Sequence, residues 1–145
     1  MEVLHILWSA FIATSAMTWF SYLLATLQSN EFKEPRLINV LLDRSGILSR
    51  TISKSSFVGW IIHYLVGLIL ITVFDAVWIY TTIEATFWSG AVLGAIAGSL
   101  AVIGWKMMFR LSPNPPDIDF NKYYLHLVAA HVILGLTAAL IHSHF

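Results

Sequence analysis

Residues 57–80 read FVGWIIHYLVGLILITVFDAVWIY, and this stretch decides the fold. It is longer than the roughly 20 apolar residues a helix needs to cross a bilayer, and its apolar residues do not alternate as a hydrated strand would require. No lysine or arginine falls within it. Its ionisable side chains of note are His63 and Asp75, flanked by Tyr64 and a run of Leu, Ile and Val.

Working outward, three more stretches have the same character. The predicted spans are about 3–27, 57–80, 87–111 and 122–141, in a chain whose composition is 58% apolar and only 11% charged. A soluble domain carries about a quarter charged residues. A transmembrane barrel would need alternating segments of about 10 residues, and none is present. The expectation is an all-α integral membrane protein, a single domain built as a four-helix transmembrane bundle. The absence of cysteine excludes disulfides and thiolate metal sites. Zero net charge argues against a nucleic-acid partner. The first span opens with Glu2 where a signal peptide would carry a basic region.

The connections carry the remaining polarity. Between the first two spans, Pro35 opens a segment, 35–44, that is apolar at Leu37, Ile38, Leu41 and Leu42 and charged at its ends. Such a segment is expected to lie flat in the membrane interface. Thr81–Thr86 make a short turn, and Ser112-Pro113-Asn114-Pro115-Pro116-Asp117 stops any helix. All eight Lys and Arg fall in or beside the first and third connections. With four spans these connections share a side, which the positive-inside rule makes cytoplasmic, so both termini are expected outside. Trp8, Trp78, Tyr80 and Trp88 then mark the outer interface, with Trp60, Trp105, Tyr123 and Tyr124 at the inner one.

The halves show a similarity that predicts two related hairpins. Trp8-Ser9-Ala10 matches Trp88-Ser89-Gly90, Pro35 matches Pro113, and His63-x3-Gly67 matches His131-x3-Gly135. Parallel repeats of this kind are related by an axis along the membrane normal. His63 and His131 would then lie at similar depth, roughly 9 and 12 Å into their helices at 1.5 Å per residue.

Ionisable residues inside a membrane are expensive and mark candidate sites. His63 and His131 together suggest a bis-imidazole site for haem b iron or another metal, with Gly67 and Gly135 opening room beside the rings. The alternatives are histidines that bond to neighbouring helices, and a proton-handling or ligand-contacting pair. His126 is about 140° round the helix from His131 and is expected at the interface near Asp117, Asp119 or Lys122. Asp75 could hold a proton, a cation or a ligand amine, or could reach outer water or a hydroxyl. Glu2, His5, Glu84, His142 and His144 gather on the outer side without metal-binding spacing. Gly90, Gly94 and Gly98 form a small-residue ridge suited to close helix packing, within the chain or in a homodimer.

No nucleophile elbow, phosphate loop, H-E-x-x-H helix or paired acidic motif occurs. Ala13-Thr14-x2-Met17, Gly59-Trp60-x2-His63-Tyr64-x2-Gly67 and Pro113-x-Pro115-Pro116-x-Ile118 resemble the small four-helix bacterial inner-membrane proteins of unknown function. That resemblance implies a bacterial cytoplasmic membrane and carries no mechanism with it. The functional expectation is a non-enzymatic protein that acts by binding, as an accessory subunit of a larger membrane complex or a lipid- or ligand-binding module. The alternatives are a bis-histidine redox protein and a proton- or cation-coupled oligomeric transporter using Asp75.

Overall fold

A computed structural model describes residues 3–28, 32–46 and 51–144. Five helices follow one another: α1 (Val3–Gln28), α2 (Glu34–Arg44), α3 (Phe57–Tyr80), α4 (Phe87–Leu111) and α5 (Phe120–His142). No strand occurs among the described residues. Four of the helices, α1, α3, α4 and α5, are long and apolar enough to cross a membrane.

Local chemistry places the ends. The Ser56 hydroxyl accepts from the Val58 amide to start α3, and Thr86 and Ser89 form a reciprocal capping box at the start of α4. Asp119 accepts from the Lys122 amide at 3.1 Å, which starts α5 at Phe120, earlier than the apolar pattern alone suggests. Pro35 sits in the first turn of α2, where its missing N–H costs nothing, and Gly46 leaves that helix with a φ of 66°.

The packing order across the molecule is α3, α1, α5, α4, with α5 at the centre. Along α4 the glycine ridge lies against α5: a Cβ at Gly94 would come within 2.8 Å of the Val132 Cα, and one at Gly98 within 2.8 Å of the Val128 Cα. Gly135 returns the approach, against the Gly90 carbonyl and the Gly94 backbone. Small residues at such a seam let backbones meet, which is how helices associate where lipid removes the hydrophobic drive. On its other side α5 meets α1 through Ala130, Leu134 and Ala138 against Ala10, Ala13 and Met17. Helix α1 then meets α3, where Gly67 admits Thr14 and Ser15 shares a 2.9 Å hydrogen bond with Tyr64.

The buried face of α1 is small and partly polar, with Ser9, Ala10, Ala13, Thr14, Thr18 and Ser21 inside. Larger apolar side chains, among them Ile69, Val73, Ile96, Leu100 and Ile103, point outward. A water-soluble bundle has the opposite distribution.

The two hairpins are not packed alike. Helix α1 runs along α5, whereas α3 scarcely touches α4. The resulting gap at the end bearing Trp105 is covered by α2, which is clamped onto the start of α3. Asn39 Oδ1 accepts the Gly59 amide at 2.8 Å, and Asn39 Nδ2 donates to the Lys54 and Ser56 carbonyls at 3.1 and 2.7 Å. Leu37 and Val40 are buried by this docking, so the amphipathic segment lies against the bundle.

Candidate functional site

The gap between α3 and α4 forms a half-open cavity of about 610 Å³. Its sides are Ile62, Val66 and Leu70 of α3 and Ala101, Gly104, Trp105 and Met108 of α4. Met17 of α1 and Leu127 of α5 form the floor, and Ile38, Leu41 and Leu42 of α2 form the cover. The apolar positions 38, 41 and 42 of the amphipathic segment thus face this space. A Cβ at Gly104 would meet nothing within 4 Å, so this glycine contributes room where the ridge glycines contribute contact.

Three ionisable side chains reach the lining, His63, His131 and Glu34, beside the hydroxyls of Ser45 and Ser112 at its edge. The structure brings the two sequence-selected histidines to one cavity. The Leu127 carbonyl, 2.8 Å from His131 Nδ1, can only accept, so Nδ1 carries the proton and Nε2 keeps its lone pair. Thr18 gives its hydroxyl proton to the Thr14 carbonyl at 2.7 Å, and His63 Nε2 lies 2.9 Å from the same hydroxyl oxygen. With that proton committed, His63 Nε2–H donates to Thr18, and Nδ1 holds the lone pair. Neither His63 Nδ1 nor His131 Nε2 is among the sealed, unpartnered polar atoms, so both remain accessible on rings that line the cavity.

Glu34 is the residue that sequence reading missed. Although it stands next to the polar connection, it is buried to 3% exposure. Ser21 Oγ donates to its Oε1 at 3.0 Å, and His126 Nε2 lies 3.1 Å from the same oxygen. Oε2 has no partner. The available signal was a glutamate directly before Pro35, where a helix N-terminus stabilises negative charge. Nothing local indicated that the chain would fold it inward.

His126 corrects an expectation. Its partner is Glu34 and not Asp117, Asp119 or Lys122, and it is buried to 3% exposure between two phenyl rings. Its centroid lies 4.6 Å from that of Phe32 and 5.7 Å from that of Phe20, with interplanar angles of 9° and 7°. Stacking and the Glu34 contact draw it to α1 and the start of α2.

Of the glycines following the two histidines, Gly67 belongs to the cavity lining, though a Cβ there would meet Thr14, and Gly135 faces the α4 backbone. Tyr64 lies one position past His63 and points to Ser15, its ring stacked 5.7 Å from Phe11.

At the opposite end, Asp75 Oδ1 is 3.0 Å from His142 Nδ1, and the Trp78 ring lies 5.0 Å from the His142 ring at an interplanar angle of 52°. His142, near the end of α5, thus meets the carboxylate of α3. Among the described residues no three His, Asp or Glu side chains converge closely enough to hold a metal ion, and Glu2 lies outside those residues. Comparison with protein-family models, with curated proteins and with solved structures returned no match, so the site rests on its own geometry.

Proposed function

We propose that this chain is a multi-pass integral membrane protein that acts by binding an apolar molecule in the cavity between α3 and α4. The observation that carries this reading is the cavity itself: about 610 Å³, walled mostly by apolar side chains, with His63, His131 and Glu34 as its ionisable groups. Small-molecule sites have this size and this mixture of an apolar wall with a small number of placed polar atoms. No catalytic constellation accompanies it, which favours a binding module or accessory subunit over an enzyme.

The proposed setting is a bacterial cytoplasmic membrane, with the four long helices as a bundle and both termini outside. Lys and Arg at the α1–α3 and α4–α5 connections support that orientation. An outward-only amine reagent applied to intact cells should leave Lys33 and Lys54 unmodified. Labelling of either would reverse the topology. The relationship between the two hairpins rests on three sequence matches, and the unequal α1–α5 and α3–α4 packing gives it no further support.

A second reading is favoured by one specific observation. His131 donates Nδ1–H to a backbone carbonyl and keeps Nε2 free, the arrangement that orients metal-bound imidazoles. Haem b would use His131 Nε2, and His63 would have to ligate through Nδ1 because Nε2 is bonded to Thr18. An absorption spectrum of the detergent-purified protein, before and after dithionite, separates the two readings. The binding-module reading expects no Soret band, and an apolar molecule recovered by solvent extraction. A Soret band that shifts on reduction and is lost in His131→Ala would replace it with a redox protein.

A further inference from the structure

The two histidines in the cavity lining offer acceptors only. His131 has spent its N–H on the Leu127 carbonyl and His63 has spent its own on Thr18. Glu34 Oε2 also lacks a partner, but it is sealed from the cavity. What remains open at both histidines is a lone pair. Acceptors left unanswered in a water-poor setting are costly, and the cost is removed by whatever brings donors to them.

A single cation does not fit this set, since no three such side chains among the described residues come together. The acceptors are instead spread over a space the size of an extended organic molecule. From this we infer that the cavity takes an apolar molecule carrying at least two hydrogen-bond donors, the head chemistry shared by an alkyl hydroquinone and a monoacylglycerol. His63 Nδ1 and His131 Nε2 accept from it, and Val66, Leu70 and Met108 hold its apolar body. The inference rests on the cavity being a binding site. It adds that donors on the ligand are what the site selects.

The test uses the full chain in detergent micelles, with bound mass read by native mass spectrometry. The probes are decylhydroquinone and 1-monooleoylglycerol, each beside its di-O-methyl ether, which keeps the body and removes both donors. At least one diol should bind, and its ether should bind about tenfold more weakly or worse. Loss of one acceptor in His63→Leu should weaken the diol by a similar factor and leave the ether unchanged, because Thr18 keeps its bond to the Thr14 carbonyl. Gly104→Phe, or Gly104→Leu as a smaller block, should remove all binding, since the new side chain enters open space.

Retention of one diol alone assigns the head to that source, ring diol or glycerol, and supports the inference. Equal binding of diol and ether, both lost in Gly104→Phe, would overturn donor selection and leave the cavity as a site. Failure of every probe to bind, or binding that survives the Gly104 variants, would overturn the cavity reading and the inference with it.

Discussion

Helix α4 presents glycine on two faces, and the faces do different things. Along Gly90, Gly94 and Gly98 the missing side chain lets the α5 backbone come into contact, and no space is left. At Gly104 the missing side chain faces nothing within 4 Å, and a cavity is left. Glycine therefore marks a seam only where a second backbone arrives. What keeps one from arriving at Gly104 is the divergence of α3 from α4, with α2 lying across the gap. The seam fixes the molecule and the gap provides its chemistry.

The comparison breaks hardest at the seam. Gly94→Leu puts a side chain against the Val132 Cα and its neighbours, which belong to a packed backbone and cannot rotate away. A cost of about 3 kcal/mol or more is expected, at the upper end for overpacking. It should appear as a large fall in the thermal midpoint in detergent; an unchanged midpoint would mean that α4 and α5 do not meet there. The next effect lies over the gap. Asn39→Ala removes the acceptor for Gly59 N–H and the donor for the Lys54 and Ser56 carbonyls. About 2 kcal/mol should be lost, with faster amide exchange in α2 and unchanged exchange along the seam. Equal loosening of both would show that the cover and the seam are not independent.

The seam was easier to read in the sequence than the gap. Glycines four apart on an apolar helix state a local pattern, and an all-helical chain with four long apolar helices follows from composition and period alone. The cavity is a product of tertiary placement. His63 and His131 were visible because ionisable residues stand out in apolar runs, but their tautomers depend on Thr18 and on the Leu127 carbonyl. Glu34 was hidden because a glutamate beside a polar connection looks solvated. Only the docking of α2 shows that the chain carries it inward to Ser21 and His126. The partnership of Asp75 with His142 was hidden for the related reason that its members lie 67 positions apart.

A smaller effect of opposite sign should sharpen the contrast. Gly104→Ala adds a methyl group where there is space and removes the conformational cost of glycine in a helix. A gain of up to about 1 kcal/mol is expected, whereas the same change at Gly94 should destabilise. If both substitutions lowered the midpoint, Gly104 would not face open space.

The smallest effect lies at the end of α5, the helix that both seals the seam and floors the cavity. Asp119 is exposed, and its carboxyl group is held below the usual aspartate range, chiefly by the hydrogen bond from the Lys122 amide. The Lys122 ammonium, 3.3 Å away, adds to this, though an exposed pair of this kind is worth little. A carboxyl group whose folded value is depressed contributes its stability above the unfolded value, near 3.9. That contribution is lost as pH falls through the lower folded value. Acidification across that window should therefore speed exchange of the first amides of α5, while those near Gly135 stay protected by the seam. Asp119→Asn keeps a capping side chain but has no proton to take up, so its exchange in the same window should be flat apart from the intrinsic rate. A pH response that persisted in Asp119→Asn would move its origin away from the cap. A response that spread to Gly135 would show that the seam depends on the first turn of α5, which backbone contact along Gly90, Gly94 and Gly98 does not require.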